Sequence, residues 1–169
     1  YGSPKTVTIS RDKCGDFWIT IVFDEEFQPN KIKSGKTAGF DFGLKTFLTS
    51  SNGTEIHPPL FYKEAQSELR KANRNLSRKK KGSKNRRKAR LNLARVHRTV
   101  ANKRNDYQWK LAHQLVSNYD VLCFEDLNID GMKRLWGKKI SDLAFSDFMH
   151  KVEWLALKYG KEAVKIDRF

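Results

Sequence analysis

The chain has 169 residues, and its 34 Lys and Arg against 19 Asp and Glu give a net charge of +15. Hydrophobic residues make up 38% and aromatic residues 12%, which excludes a disordered chain and is enough for one packed core. No apolar run approaches the roughly 18 residues that a membrane span needs, which excludes a transmembrane protein. Cys14 and Cys123 lie far apart and form no C-x-x-C pair, so we expect no zinc site in this chain and a reducing, cytoplasmic compartment.

The first part of the chain predicts a β-hairpin and a linker. Residues 6–10 and 17–23 alternate as strands do, and the turn-forming residues 12–16 separate them. Residues 28–36 are rich in Pro, Asn, Ser, Gly and Lys, which is typical of a linker. We therefore expect residues 1–35 to be the end of a preceding β domain, followed by an α/β domain over residues 36–169.

The middle of the chain predicts a three-stranded meander and then two helices. Strands are expected over residues 38–43, 46–50 and 54–56, with Asn52-Gly53 as the second turn. A first helix over about 63–80 ends at Lys81-Gly82-Ser83, and a long amphipathic helix follows it to about residue 119. Together they predict an antiparallel helical hairpin with a basic tip, inserted over about 62–118.

The last part of the chain returns to strands. The continuous apolar run within residues 119–125 is typical of a strand that is covered on both faces of a sheet. Residues 145–159 predict a helix, with Gly160 placed to cap its C-terminus, and residues 163–167 predict one more strand. The expected order is a hairpin, three strands, a helical insertion, a strand, a helix and a strand.

The positive charge is concentrated in the helical insertion. Residues 63–110 contain 18 basic and 3 acidic residues, whereas the rest of the chain balances 16 against 16. A solvated helical face would explain a few extra lysines, but this excess indicates a polyanionic partner, namely nucleic acid. Because residues 63–106 contain no Phe, Trp or Tyr, we expect contacts to backbone phosphates rather than to bases. The candidate residues are Arg78, Lys79, Lys80, Lys81, Lys84, Arg86, Arg87, Lys88 and Arg90.

Two carboxylates lie at unusual places in the predicted strands. Asp41 lies between Phe40 and Phe42, and Glu125 ends the apolar strand. Charged groups at such places are costly unless they are paired or bind a cation, and two carboxylates on neighbouring strands form a natural site for a hard cation. Each also has an ordinary explanation, since Glu125 could pair with a Lys or Arg and Asp41 could cap a turn. Beside a phosphate-binding insertion, however, the pair suits phosphodiester cleavage by two metal ions.

Two segments resemble the OrfB/TnpB proteins of bacterial insertion sequences, which are relatives of type V CRISPR effector nucleases. Residues 39–47 (GFDFGLKTF) resemble the G-I-D-x-G-L-K-x-[FL] start of the family's RuvC-like nuclease domain. Residues 124–132 (FEDLNIDGM) resemble its V-E-D-L-N-V-x-G-M motif, and residues 165–169 are similar to the segment before its zinc ribbon. The resemblance covers about residues 5–169, and two motifs at the right separation are specific.

The resemblance implies an RNase H-like (RuvC-like) mixed sheet and an Asp-Glu-Asp site for Mg²⁺ or Mn²⁺. It makes Asp41 and Glu125 the first two ligands. The third Asp follows a zinc ribbon that this sequence does not contain, so we expect Zn²⁺ only in a downstream segment and an incomplete, inactive fragment here. Asp167 is expected to be a polar residue at a strand end, and Asp126 to cap a helix or orient a loop.

The resemblance also implies partners and a function. We expect DNA and a guide RNA as partners, no membrane, and a nucleoid-associated location in a prokaryotic cell. The leading hypothesis is the nuclease core of an RNA-guided DNA endonuclease. A catalytically degenerate module that holds nucleic acid without cutting it is the alternative. A basic ribosome-associated protein is a third hypothesis, which leaves the two motifs unexplained.

Overall fold

The computed structural model describes residues 2–24 and 34–167, apart from the side chains at positions 129, 130, 133 and 138. Most of the predicted linker over residues 28–36 and the last two residues of the chain lie outside this description. Residue contacts divide the chain into two compact units. We call Tyr1–Gln28 with Phe61–Lys103 the helical unit, and Pro29–Leu60 with Arg104–Phe169 the sheet unit. The predicted domain division at residues 35 and 36 stays a prediction.

The helical unit begins with the predicted hairpin. Strands β1 (Ser3–Arg11) and β2 (Phe17–Asp24) pair antiparallel as a two-stranded sheet, which confirms the prediction from alternation. Asp12 shapes the turn because its carboxylate accepts hydrogen bonds from the backbone N–H groups of Cys14, at 2.8 Å, and Asp16, at 2.9 Å. A short carboxylate at this position favours such a local turn over continued strand.

Three helices complete the helical unit. They are α1 (Phe61–Glu64), α2 (Gln66–Ser77) and the first part of α3 (Lys84–Asn118), whose later residues belong to the sheet unit. The break between α2 and α3 falls at Lys81-Gly82-Ser83, as predicted. The buried hydrophobic side chains on these helices are aliphatic, among them Leu69, Ala72, Val96 and Val100. An ion pair adds to this packing, since the Arg98 guanidinium on α3 donates to the carboxylates of Asp12 and Asp16.

The sheet unit contains a mixed five-stranded sheet in the order β5-β4-β3-β6-β7. Strands β3 (Thr37–Phe42), β4 (Leu48–Ser50) and β5 (Glu55–Ile56) form the predicted antiparallel meander. Strands β6 (Val121–Glu125) and β7 (Glu162–Ile166) follow in parallel with β3. The three parallel strands therefore end at the same edge of the sheet. This arrangement confirms the mixed α/β class predicted from the sequence.

Two further helices pack in the sheet unit. Helix α5 (Phe145–Lys158) confirms the prediction, and Gly160 takes a φ of +63° in the left-handed region that its capping role requires. Helix α4 (Ile129–Leu143) was not predicted. Met132, Trp136, Ile140 and Leu143 recur at three- and four-residue steps, although Leu135 and Trp136 are exposed and Trp136 interrupts the helical dihedral angles. None of the described helices combines the length and the apolar character that crossing a bilayer requires.

One face of the sheet carries the core. Side chains of β3 and β6 alternate, so that Phe40, Phe42 and Phe124 are buried together with Phe47, Phe145 and Phe148. Ring centroids within this group lie 4.8–6.1 Å apart. The prediction that β6 is covered on both faces is wrong for the described residues, since the alternate residues of β6 are only half-buried. An apolar run of this length fits a strand with one buried face as well as a strand with two.

Candidate metal centre and nucleic-acid interface

The structure places the two predicted carboxylates on neighbouring parallel strands. Phe40 of β3 lies opposite Phe124 of β6, and their rings stack with centroids 5.1 Å apart on the buried face. Asp41 and Glu125 are the next residue on each strand. Because side chains alternate along a strand, both carboxylates belong to the opposite face of the sheet. They lie near the carboxyl ends of their strands, where open α/β sheets bind ligands.

The two carboxylates differ in their surroundings. Asp41 is exposed, whereas Glu125 is half-buried and lines a cavity of about 200 Å³ together with Asp126, His150 and Lys165. Asp41 is not among the residues that line this cavity. The strand carrying Asp41 ends in a tight turn, in which the Thr46 carbonyl oxygen approaches Gly43 closely. A Cβ at position 43 would lie 2.7 Å from that oxygen, so the turn requires glycine there. Glycine at this position therefore sets the direction of the chain just after Asp41.

Other acidic residues near this edge do not complete a three-ligand group. In the part of the chain that the structure describes, no cluster of three or more His, Cys, Asp or Glu side chains could hold a metal ion. Asp167 follows β7 directly, but Ile166 is the residue paired with Glu125, so alternation assigns Ile166 to the face of Glu125. That Asp167 is no ligand stays a prediction. Of the two roles predicted for Asp126, the helix cap is wrong, because the Asn128 side chain caps α4 by accepting from the Gly131 N–H at 2.9 Å. That Asp126 orients a loop stays a prediction.

The donor set at the sheet edge suits a hard cation. Mg²⁺ and Mn²⁺ prefer oxygen ligands and bind through one or two carboxylates plus water and substrate phosphates. Asp41 and Glu125 supply carboxylate oxygens from the same face of the sheet. The residues present therefore fit a site of this kind, which would take its further oxygen ligands from water, substrate or another part of the protein.

The predicted phosphate-binding residues surround the turn between α2 and α3. We call this set of nine residues the basic tip, and seven of them are exposed while Lys79 and Arg86 are half-buried. Arg86 has a structural role, since its Nη1 donates to the carbonyl oxygens of Leu76 and Lys79, each at 3.1 Å. These two hydrogen bonds hold the end of α2 against the start of α3. Phosphate contacts by the basic tip stay a prediction.

Asp120 is a structural residue to which the sequence assigned no role. Its carboxylate accepts hydrogen bonds from the Ser34 N–H at 2.9 Å, the Gly35 N–H at 2.7 Å and the Ser34 hydroxyl at 3.1 Å. The Ser34 N–H is the main cause that lowers the pKa of Asp120 to about 2, against the opposing effect of burial and with help from Gly35 and Lys161. Asp120 thereby fastens the start of β3 beside the start of β6. The one sequence feature that could have indicated this role is the position of Asp120 just before the motif over residues 124–132.

The sequence is similar to proteins of transposable elements. Residues 20–135 match the family model OrfB_IS605, described as "Probable transposase". Over 168 residues the chain is 34% identical to a "Putative RNA-guided DNA endonuclease" of Streptomyces pristinaespiralis, covering 98% of this chain and 42% of that protein. It is 32% identical over 133 residues to the "Putative RNA-guided DNA endonuclease InsQ" of Escherichia coli K12, covering 79% of this chain and 33% of the relative. A "TnpB-like protein L79" of Acanthamoeba polyphaga mimivirus is 30% identical over 188 residues, covering 98% of this chain and 35% of that protein.

A solved structure shares the fold. The chain superimposes on a chain of the "Cryo-EM structure of the Cas12f1-sgRNA-target DNA complex" with a TM-score of 0.59 and 15% identity, covering 95% of this chain and 35% of that one. The fold and the sheet order define a mixed α/β protein. The chain belongs to the OrfB/TnpB family, as its motifs predicted. It spans 42% or less of the length of the three curated relatives above.

Proposed function

We propose that this chain is the nuclease core of a longer RNA-guided DNA endonuclease that hydrolyses phosphodiester bonds with Mg²⁺ or Mn²⁺. The observation that carries the proposal is the pairing of β3 with β6, which brings Asp41 and Glu125 to one face of the sheet at its carboxyl edge. The strand order and the antiparallel β4 support a RuvC-like, RNase H-like sheet. The names of the relatives support the reaction and its guide.

The two carboxylates would divide the work of holding the metal. Asp41 lies opposite Thr49 of β4, and the preceding residue Phe40 lies opposite Phe124 of β6, so paired strand holds the backbone at and just before Asp41. Glu125 lies at the last position of a central strand and is half-buried, which limits the number of its side-chain conformations. A bound pair of metal ions supplies an activated water and stabilises the leaving oxygen of the phosphodiester. The third carboxylate of the family pattern would come from the part of the longer protein beyond this sequence.

The basic tip would provide affinity without reading sequence. Its exposed Lys and Arg side chains can each neutralise a phosphate, and residues 63–106 offer no Phe, Trp or Tyr for base stacking. In an RNA-guided protein the sequence is read by pairing between guide and target, and the protein grips the backbone of the duplex. DNA and a guide RNA are therefore the proposed partners.

Manganese binding tests the metal centre in the 169-residue chain itself. Electron paramagnetic resonance of free Mn²⁺ would be titrated with wild type, Asp41→Asn, Glu125→Gln and the matched control Glu162→Gln. Glu162 is an exposed carboxylate at the start of β7, at the other edge of the same sheet. We expect weaker Mn²⁺ binding for Asp41→Asn and for Glu125→Gln, and wild-type binding for Glu162→Gln. Equal affinity for all four folded proteins would contradict the proposed centre.

A further inference from the structure

A basic cleft lies within the helical unit, between the hairpin turn and α3. Its volume is about 600 Å³, and four of its lining residues are cations, two from the hairpin and two from the helix. Arg11 and Lys13 flank the turn, and Arg87 and Arg90 lie on α3. The remaining lining residues are Asp12, Gly15, Leu91, Leu93, Ala94 and His97. Arg11, Lys13 and His97 are not part of the basic tip, so the cleft extends the positive surface from the helical hairpin onto the β-hairpin.

Arg98 fastens the turn to α3 and so builds the cleft. Its Nη1 donates to Asp12 Oδ2 at 2.8 Å and also to a carboxylate oxygen of Asp16. The hydrogen bonds that Arg98 donates to these two carboxylates, the bond to Asp16 first, raise the pKa of Arg98, so it stays charged. Burial would raise the pKa of Asp12, but hydrogen bonds from the Asp16 N–H and from Arg98 outweigh it and lower the pKa. Arg98 offsets one of the two carboxylate charges, so the group of Asp12, Asp16 and Arg98 has a net charge of −1, and the four lining cations keep the cleft cationic.

Arg11 is oriented by the same turn. Its Nε donates to the Gly15 carbonyl oxygen at 3.3 Å, and its guanidinium lies 5.2 Å from the centroid of the Phe17 ring. These contacts use one donor of five and leave the outer nitrogens of the fork for an anion. No ion pair of Lys13, Arg87 or Arg90 with a described carboxylate is present, which leaves the cleft strongly cationic.

The shape and chemistry of the cleft fit a strand of nucleic acid. Residues 87, 90, 94 and 97 recur at three- and four-residue steps along one face of α3, a length of about 15 Å at 1.5 Å per residue. About four phosphates of one strand span that distance at 3.4 Å each along a duplex axis. The lining residues include no aromatic ring of Phe, Trp or Tyr on which a base or a nucleotide could stack.

We propose that this cleft holds the sugar–phosphate backbone of a nucleic-acid strand, with Arg11, Lys13, Arg87 and Arg90 contacting phosphates and Arg98 acting as a positioning residue. The inference rests on the nucleic-acid partner of the proposed function, and it is independent of the metal centre. Since RNA and DNA share the phosphodiester chemistry, both should use the cleft.

A charge-matched pair of variants tests the cleft in the full 169-residue chain. Arg11→Ala/Lys13→Ala removes two cleft cations, and Lys5→Ala/Lys158→Ala removes two exposed lysines from outside it. Affinity would be measured by fluorescence anisotropy with a 20-base-pair DNA duplex and an RNA duplex of the same sequence, between 50 and 400 mM KCl. We expect the cleft variant to lose up to about 1.8 units of salt slope, which amounts to up to about 60-fold in affinity at 0.1 M salt. The control variant should stay within about twofold of wild type.

A second variant separates the cleft from general electrostatics. Asp12→Asn/Asp16→Asn raises the net charge by two and replaces the carboxylates that pair with Arg98 by neutral amides, which ends both ion pairs. Nonspecific attraction predicts tighter binding, whereas loss of the positioned turn predicts weaker binding, which is the result we expect. Asp16→Asn alone, at a more exposed carboxylate, provides the same comparison if the double variant does not fold.

The outcomes distinguish the two proposals. Failure of the wild-type chain to bind either duplex would overturn both the cleft and the nucleic-acid partner of the proposed function. Wild-type binding with equal losses in the two double-alanine variants would overturn the cleft alone. Competition by polyglutamate of matched charge as strong as by RNA would also overturn it, because the cleft would then accept any extended polyanion.

Discussion

The two units of this chain differ in charge and in packing: the helical unit has most of the net charge, and the sheet unit has the buried aromatic core. The helical unit contains 19 basic and 7 acidic residues, a net of +12, whereas the sheet unit contains 15 and 12, a net of +3. Buried aromatic side chains are found in the sheet unit, while the described hairpin of the helical unit exposes Ile9, Phe17 and Trp18 by 57–69%. Stability should therefore depend mainly on the sheet unit and affinity for polyanions mainly on the helical unit, so that substitutions in one leave the other property unchanged.

The largest effect on stability is expected at the centre of the sheet unit. Phe47 is 2% exposed and packs against the rings of Phe42, Phe145 and Phe148. Phe47→Ala should lower the free energy of unfolding by about 3–5 kcal/mol, because the cavity adds to the lost burial. Leu157→Ala, at a position 71% exposed, is the control and should change it by less than about 0.5 kcal/mol. Urea unfolding followed by circular dichroism measures both, and equal effects would contradict the division.

The basic tip should show the opposite behaviour. Replacing the exposed Lys80, Lys81 and Arg87 with Ala should weaken binding to unrelated nucleic-acid sequences alike and reduce the salt slope by up to about 2.7 units. The free energy of unfolding should stay within about 0.5 kcal/mol of wild type. Anisotropy titrations on two unrelated duplexes measure the effect. Unchanged affinity, or a loss for one sequence only, would show that the tip does not act through phosphates.

Arg86 sharpens the comparison because it is a basic residue with a packing role. Arg86→Ala should destabilise the helical hairpin by about 1–2 kcal/mol, since the Leu76 and Lys79 carbonyl oxygens lose a donor. Hydrogen exchange of the amides around residues 76–86 measures this local effect. Arg87→Ala, its exposed neighbour, should leave that exchange unchanged. The same hydrogen-exchange pattern in Arg86→Ala and Arg87→Ala would contradict the structural role of Arg86.

The smallest effect concerns the pH dependence of the sheet unit. The pKa of Asp120 is about 2 in the folded chain against an ordinary value of 3.8, so folding favours the ionised carboxylate. Its stabilisation is complete above about pH 4 and is lost as the pH falls through about 2. Asp120→Asn should lower the melting temperature at pH 7. Between pH 4 and pH 2 the melting temperature of the variant should fall by less than that of wild type. Parallel wild-type and variant melting curves over that range would contradict the role of the Ser34 and Gly35 hydrogen bonds.

Periodicity predicted most elements of the fold. The β-hairpin, the meander, the helical hairpin, α5 and β7 follow from alternation, helical spacing and turn residues, all of which are local signals. Helix α4 was not predicted, although Met132, Trp136, Ile140 and Leu143 recur there at the same helical spacing. The partial exposure of the second face of β6 was not predicted, because an apolar run does not indicate whether one or both faces of its strand are covered.

The candidate site was predictable in part for a similar reason. The sequence placed Asp41 within one predicted strand and Glu125 at the end of another, and the parallel pairing of β3 and β6 then brings the two positions together. The Arg98 contacts with Asp12 and Asp16 span more than 80 positions of sequence, and no local pattern encodes such a contact. Net charge likewise does not predict which cation of a cluster makes structural hydrogen bonds, as Arg86 does with the Leu76 carbonyl oxygen.

Cleavage by the longer protein tests the central claim most directly. This chain, within a protein as long as its curated relatives, would be expressed with the RNA that copurifies with it. DNA complementary to that RNA would then be incubated with Mg²⁺. We expect wild type and Glu162→Gln to cut, and Asp41→Ala and Glu125→Gln to lose more than about a hundredfold in rate, since even outer-shell losses at metal sites cost 10–100-fold. RNA retention should be unchanged in all four. Cutting at the wild-type rate by Asp41→Ala or Glu125→Gln would contradict the carboxylate centre.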